Sequence, residues 1–149
     1  MLGFLSFRTI IAFALFSPVF AAAAAYADSI TVTNGWMRAL PPPTPSAGYF
    51  TLINDSGRHI VLTGASSPAC GMLMLHKTSK SNGMASMTDL ENVPVAVGAT
   101  IHFEPGGYHL MCMDPTAAVT PGNKIQVTLV FADGTKIVSE FAVRDATGR

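Results

Sequence analysis

The sequence predicts an all-β fold, a single antiparallel β-sandwich domain built from short strands. Short runs rich in β-branched and aromatic residues follow one another along the chain, and none has the sustained periodicity of an amphipathic helix. Residues that favour turns separate these runs at short intervals, as is typical of sandwiches and barrels. Hydrophobic residues make up 49% of the chain and charged residues 12%, so the bulk of it is expected to fold around a core.

The first 27 residues have the pattern of a secretory signal peptide. Arg8 precedes an apolar run over residues 10–20, and an alanine tract ends in Ala25-Tyr26-Ala27. The run is short and contains Ser17-Pro18, which argues against a retained transmembrane helix of about 20 residues. We therefore expect cleavage after Ala27, no membrane insertion after cleavage, and one mature domain over residues 28–149.

The first half of the mature chain contains four predicted strands, each ended by residues that favour turns. They span residues 30–38, 48–53, 59–64 and 71–77. Three consecutive prolines, Pro41-Pro42-Pro43, end the first strand because proline cannot donate to a sheet ladder. Asn54-Asp55-Ser56-Gly57 forms a turn after the second strand. After the fourth, Ser81-Asn82-Gly83 predicts a tight turn that reverses the chain.

The second half contains four more predicted strands, at residues 100–103, 108–113, 124–131 and 136–143. Pro105-Gly106-Gly107 and Pro121-Gly122-Asn123 mark the loops before the second and third of these. The strand at 124–131 is the clearest, since hydrophobic residues alternate along it and give one apolar face. Asp133-Gly134 then turns the chain into the last strand, so this pair is a predicted hairpin.

The charge and motif content excludes several functional classes. The formal net charge is 0, and no run of basic residues points to nucleic acid or to an anionic membrane surface. No serine, histidine and aspartate order, carboxylate pair or phosphate-binding glycine loop is present. We therefore do not expect an enzyme or a nucleic-acid-binding protein.

The most specific feature is a spaced set of soft and borderline metal ligands. They are His76, Met87, His109 and Met111. Residues two apart on a strand share a face, so the side chains of His109 and Met111 can reach one ion. The predicted turn at residues 81–83 brings Met87 back towards His76. Two imidazoles and two thioethers are uncharged and polarizable, which fits a single Cu(I) ion better than a divalent ion.

Methionine is also common core filler, and this alternative applies to the other methionines. Met72 and Met74 are in phase with His76; they can pack beneath it or offer additional sulfur, and packing is the favoured interpretation. Whether Met84 or Met113 assists metal binding is left open by the sequence. The remaining histidines of the mature chain are His59 and His102, and we interpret them as surface residues rather than ligands.

Cys70 and Cys112 are exported together into an oxidising compartment, where they can form a disulfide. They can equally be two small buried hydrophobic residues, and the sequence does not decide between these. Cys112 alternates out of phase with His109 and Met111, which makes it a poor ligand for the same ion. A blue-copper electron carrier, which needs a cysteine ligand, is therefore an alternative that the pattern disfavours. A secreted interaction module without metal is the other alternative.

Residues 105–111, Pro-Gly-Gly-Tyr-His-Leu-Met, resemble the PGGYHLM signature of periplasmic copper chaperones of the PCu(A)C type. The ligand pattern of that family is H-x10-M-x21-H-x-M, which the four candidate ligands match at every spacing. The resemblance extends to residues 30–38, 47–54 and 64–67 and to the last hairpin. One departure is Leu75, which stands where the family usually has an acidic residue.

The resemblance implies the function and the fold of the chain. The implied fold is a cupredoxin-like Greek-key β-sandwich. The implied function is that of a periplasmic chaperone that binds one Cu(I) ion and delivers it to a partner. The recipient implied by the family is a Sco-type protein or a cytochrome oxidase subunit, in the assembly of the copper centres of cytochrome c oxidase.

Overall fold

A computed structural model describes residues 29–149. The predicted signal peptide, residues 1–27, lies outside the described residues, so its cleavage stays a prediction. No helix within residues 29–149 has the length and hydropathy needed to cross a membrane. Ten strands form the described chain: β1 (Ile30–Arg38), β2 (Ser46–Asn54), β3 (Ile60–Ser66), β4 (Cys70–Ser81), β5 (Met84–Leu90), β6 (Val93–Val95), β7 (Thr100–Phe103), β8 (Tyr108–Pro115), β9 (Lys124–Phe131) and β10 (Lys136–Arg144).

The strands form one sheet that closes on itself into a barrel-like β-sandwich, which confirms the predicted fold class. Their order is β5-β4-β8-β7-β2-β1-β10-β9-β3-β6, and further pairings join β4 to β3 and β8 to β2. Most pairs are antiparallel, as predicted, but β1 pairs with β10 and β7 pairs with β8 in parallel. The β1–β10 pair joins the first and the last strand, which need no tight turn between them.

Alternation along β4 and β8 separates a core face from an outer face. Leu73 and Leu75 of β4 and Leu110 and Cys112 of β8 are buried in the hydrophobic core. The residues between them therefore lie on the opposite face of the same two strands. His76, His109 and Met111 lie on this outer face, and Met87 lies on β5, the strand that pairs with β4.

A bulge in β1 changes which residues face the site. Asn34 has a φ of 55°, and the register with β2 shifts between Thr33 and Trp36. Gly35 fits here because a Cβ at this position would lie 2.5 Å from the ring of the buried Phe141. Beyond the bulge, Trp36 lies opposite Tyr49 of β2.

The predicted hairpins are confirmed, and two of the ten strands were not among the eight predicted: β5, which the predicted turn at residues 81–83 only implied, and β6. Asn82 and Gly83 both have positive φ, at 52° and 78°, as a two-residue hairpin turn between β4 and β5 requires. The turn at Asp133-Gly134 joins β9 to β10 in register. The short strand β6 was not predicted because Pro94 occupies its centre, and proline is rare inside strands. It pairs with β3 at the edge of the sheet, where proline is tolerated.

Asn54 closes the loop at the end of β2 and is fully buried. Its Nδ2 donates to the carbonyl oxygens of Arg58, Val95 and Ala96 at 2.8, 3.2 and 3.0 Å. Its Oδ1 accepts from the backbone nitrogen and the hydroxyl of Ser56. Because every polar atom of the side chain is paired, the asparagine ties two loops together without an unsatisfied group.

Candidate metal centre

Two histidines face each other across the central strand pair of the outer face. His76 of β4 and His109 of β8 are directly opposed in the antiparallel register. Their ring centroids are 5.5 Å apart and the rings are nearly perpendicular. Both residues are buried, with 9% of His76 and 4% of His109 exposed. The structure therefore brings the two predicted imidazole ligands together.

The ring nitrogens of the two histidines differ in their partners. Nδ1 of His109 lies 3.2 Å from the carbonyl oxygen of Gly107, which orients the ring and leaves Nε2 available when Nδ1 carries the proton. Nε2 of His76 lies 2.9 Å from Oδ1 of the exposed Asp89. The direction of this approach is outside hydrogen-bonding geometry, and within residues 29–149 neither ring nitrogen of His76 has a hydrogen-bond partner. A buried donor or acceptor without a partner costs about 1–3 kcal/mol, which a bound metal ion can offset.

The environment of His109 favours the uncharged imidazole. Burial lowers the pKa of His109 below its usual value of 6.5, and the neighbouring His76 lowers it further. The contact with the Gly107 carbonyl acts in the opposite direction without reversing the shift. A neutral imidazole is the form that binds a metal ion, so the pocket holds His109 ready to act as a ligand.

The two predicted thioether ligands lie on either side of the histidine pair. Met111 follows His109 by two residues on β8 and faces Met74 of β4. Met87 of β5 lies opposite Thr78, two residues beyond His76, so it shares the outer face. The sequence predicted that Met87 returns beside His76, but Asp89 lies opposite His76 and the register places Met87 two residues further along. Met87 is 62% exposed.

A cavity of about 450 Å³ joins three of the four predicted ligands. Met87, His109 and Met111 line this cavity. His76 is not one of the lining residues, but its ring lies beside the ring of His109. A larger cavity of about 610 Å³ lies elsewhere, lined mainly by proline, alanine and threonine. Its single carboxylate, Asp145, accepts hydrogen bonds from the backbone and hydroxyl of Thr147. The smaller cavity therefore carries three of the four candidate ligands.

The donor set of this site includes sulfur from methionine. Within residues 29–149 no group of three or more histidine, cysteine, aspartate or glutamate side chains is placed to hold a metal ion. The ligand set predicted from the sequence combines two imidazoles with two thioethers. Such uncharged ligands select a soft monovalent ion, because thioether sulfur is polarizable and adds no charge to balance a second positive one.

The two cysteines form a disulfide, which resolves the alternative that the sequence left open. The Cα atoms of Cys70 and Cys112 are 5.4 Å apart and the sulfurs are bonded. Cys112 is buried on the core face of β8, out of phase with His109, as predicted. These are the only cysteines in the chain. A blue-copper centre needs a free thiolate ligand, so the disulfide counts against that alternative.

An aromatic and guanidinium cluster borders the site, and the sequence analysis did not identify it. Tyr49 lies between the ring of His109, at 6.4 Å, and that of Trp36, at 4.7 Å. The Arg38 guanidinium lies over both Trp36 and Tyr49, and Arg144 lies over Trp36. Burial raises the pKa of Tyr49, and the charge of Arg38 partly opposes this shift. The bulge in β1 sets this arrangement, and an alternation pattern does not reveal a bulge.

The interpretation of Met72 and Met74 as packing residues is not supported. Met72 is 57% exposed, Met74 is half-buried, and neither belongs to the core cluster. Core packing therefore does not explain Met72 and Met74.

Of the other histidines, His59 is exposed and His102 faces Thr51 at the surface, as expected.

Comparisons with known proteins identify relatives of this chain. Residues 30–143 match the family described as "Putative lipoprotein LpqE-like". The chain is 32% identical over 123 residues to a protein of Leifsonia xyli subsp. xyli described as "Putative lipoprotein Lxx21020", covering 82% of this chain and 74% of that protein.

Solved structures share the fold. The solution structure of CuI-DR1885 from Deinococcus radiodurans has a TM-score of 0.63 and 31% identity, and the match covers 83% of this chain and 85% of that one. The copper-bound PCuAC domain from PmoF2 has a TM-score of 0.66 at 21% identity, covering 78% of this chain and 93% of that domain. The predicted cupredoxin-like fold and the resemblance to the PCu(A)C type are both confirmed by these matches.

Proposed function

This chain belongs to the LpqE-like family and is of the PCu(A)C type; from this premise we propose that it binds Cu(I) and passes the ion to a partner protein. One observation carries the proposal. The buried imidazoles of His76 and His109 oppose each other, and Nδ1 of His76 has no hydrogen-bond partner among the described residues, while its Nε2 lies 2.9 Å from the Asp89 carboxylate. The proposed ligands are completed by the thioethers of Met87 and Met111.

The chemistry of the donors supports Cu(I) as the cargo. Imidazole and thioether are uncharged ligands, and burial lowers the pKa of His109, which favours the neutral form that binds a metal ion. Cu(I) is the common biological ion that combines a single charge with a preference for sulfur. A relative of 31% identity, DR1885, was solved in its Cu(I) form. We propose one ion at this centre.

The difference in burial among the ligands supports transfer rather than storage. The two histidines are buried on central strands, whereas Met87 is exposed on β5 at the end of the sheet. A partner's donor atom can approach the ion on the Met87 side and form its bond as the Met87 thioether leaves. The ion stays monovalent during this exchange, and no proton has to move at the methionine. Carriage of copper, not catalysis, is the proposed role.

Location and recipient are part of the same proposal. The signal peptide pattern over residues 1–27 and the lipoprotein description of the relative support an exported or envelope protein, which we place in the periplasm. Thioether ligands suit that compartment because a pair of free thiolates is prone to oxidation there. The proposed recipient is a Sco-type protein or a cytochrome oxidase subunit, with assembly of the oxidase copper centres as the purpose.

Competition with a chromogenic Cu(I) chelator tests the proposed centre. His109→Ala and Met111→Ala remove one ligand each, and Met84→Ala is the matched control because Met84 is 75% exposed at the β4–β5 turn. We expect each ligand variant to weaken Cu(I) binding by more than the 10–100-fold typical of losing an outer-shell partner. The control should bind as the wild type does. Unchanged affinity in both ligand variants, with the protein still folded, contradicts the assignment and favours an interaction module without metal.

A further inference from the structure

Two pairs of methionines continue the histidine pair along β4 and β8. In the antiparallel register Met74 faces Met111, and Met72 faces Met113. Both pairs lie on the outer face, directly before the pair formed by His76 and His109. We call Met72, Met74 and Met113 the thioether ladder. The proposed copper centre uses none of these three residues.

Packing does not account for the thioether ladder. The core-facing positions of the two strands are filled by Leu73, Leu75, Leu110 and Cys112. Met72 is largely exposed, and Met74 and Met113 are half-buried without joining the core cluster. Among residues 29–149 the methionine of the core is Met37, on another strand. Large apolar side chains that gain little from burial are candidates for another role.

The spacing of the ladder allows its sulfurs to meet at one ion. Side chains directly opposed in an antiparallel pair have Cβ atoms about 5 Å apart, and the next residue on the same face lies about 6.8 Å along the strand. Methionine has three rotatable bonds beyond Cα, so thioethers at these separations can converge. A set of neutral sulfur donors is the ligand chemistry of Cu(I).

We propose that Met72, Met74 and Met113 form a second Cu(I) site, held by thioethers alone and weaker than the histidine centre. This inference rests on the proposed function, since it takes Cu(I) as the cargo. Met111 lies between the two sites, opposite Met74 and two residues from His109. An ion can pass between them by exchange: a sulfur on one side forms its bond to copper as a donor on the other side releases it. Copper remains Cu(I), and no electron or proton is transferred.

The exposure of Met72 gives the ladder a direction. Met72 lies at the far end from the histidines and is 57% exposed, whereas Met74 is half-buried and His109 is almost fully buried. Along the outer face from Met72 to the histidine pair, the side chains therefore become more buried and the donor groups change from thioether sulfur to imidazole nitrogen. An ion bound first by exposed thioethers moves towards donors that hold it more tightly.

Anaerobic titration of the exported chain with Cu(I), read by native mass spectrometry, tests the second site. We expect the wild type to take up two ions in steps of different affinity. The double variant Met72→Leu/Met113→Leu should take up one. Leucine keeps the volume and apolarity of the side chain and removes the sulfur, so folding is expected to change little. Met84→Leu is the matched control, because it removes an exposed thioether outside the ladder.

Silver titration locates the second ion. Ag(I) is a soft monovalent ion that is not oxidised by air, and methionine methyl groups give separate signals in NMR spectra. The first equivalent should shift the signals of Met87 and Met111, and the second those of Met72, Met74 and Met113. Uptake of one ion by the wild type, or of two by the ladder variant, overturns the inference. Loss of the first, tight ion in His109→Ala is a separate result that reports on the proposed function alone.

Discussion

Removing the disulfide should destabilise the protein strongly and leave the copper ligands in place. The bond joins residues 42 apart in the sequence, so it closes a long loop that the unfolded chain otherwise leaves open. Loop-closure entropy for that length corresponds to about 4 kcal/mol at 25 °C. In the double variant Cys70→Ala/Cys112→Ala we expect the free energy of unfolding to fall by about this amount. The loss is a large part of the 5–15 kcal/mol typical of a domain.

Urea unfolding followed by circular dichroism measures this effect. With a slope of about 1.5 kcal/mol/M, the expected loss moves the midpoint down by about 2.5 M. The wild type unfolded in the presence of a reducing agent is the internal control, since it loses the same cross-link without a substitution. Agreement between the two confirms that the cross-link, and not packing at the alanines, sets the difference. A midpoint shift below about 0.5 M refutes the reasoning.

Cu(I) binding by the same variant separates structure from ligation. The cysteine sulfurs are bonded to each other, and Cys112 is on the core face, away from the histidines. We therefore expect the folded variant to bind Cu(I) with the affinity of the wild type. Loss of Cu(I) binding under conditions where the variant is folded contradicts this part of the account.

Four further predictions concern the pH dependence of Cu(I) binding and of stability, the bulge in β1, and the buried amide of Asn54. Because the folded pKa of His109 lies below 6.5, protonation of this ring should compete with Cu(I) only below about pH 6.5 and should by itself lower the Cu(I) affinity by about tenfold per pH unit below the folded pKa. A flat profile in chelator competition down to pH 5 contradicts imidazole ligation. The same shift makes the metal-free protein lose stability as the pH falls from 6.5 through the folded pKa, which urea midpoints at several pH values measure. Gly35→Ala places a methyl group against the Phe141 ring and should lower the free energy of unfolding by about 1–3 kcal/mol, measured by thermal or urea unfolding. An unchanged free energy of unfolding indicates that the bulge can move to make room. Asn54→Ala leaves three carbonyl oxygens and the Ser56 donors without their partner and should lower the free energy of unfolding by at least about 2 kcal/mol. An unchanged midpoint of urea unfolding means that this amide network does not stabilise the fold.

Much of the fold could be predicted because most strands are short, alternating and ended by marked turns. Strands β9 and β10 and their hairpin follow directly from the alternation of apolar residues and from Asp133-Gly134. The turn at Asn82-Gly83 was likewise identified from its residue types. Pairings between strands distant in the chain, such as β1 with β10, leave no local signal, because register is fixed by packing in the closed sheet.

The candidate site was predictable in its residues and less so in its surroundings. Strand phase predicted that His109 and Met111 share a face, the turn at residues 81–83 predicted that Met87 returns towards His76, and the family pattern agrees with this set. The phase of β4 did not show that Met72 is exposed and Met74 half-buried, because the apolar character of methionine suits core and surface alike. The arginine and aromatic cluster around Tyr49 depends on the bulge at Asn34, which only the backbone geometry shows.

X-ray absorption at the copper edge, on protein loaded with one equivalent of Cu(I), tests the central claim most directly. The account predicts a monovalent ion with two imidazole nitrogens and two sulfurs in its first shell. It also predicts that the sulfur scattering is reduced in Met111→Leu and unchanged in Met84→Leu. A first shell of nitrogen and oxygen alone, or a sulfur signal unaffected in Met87→Leu and Met111→Leu, contradicts it.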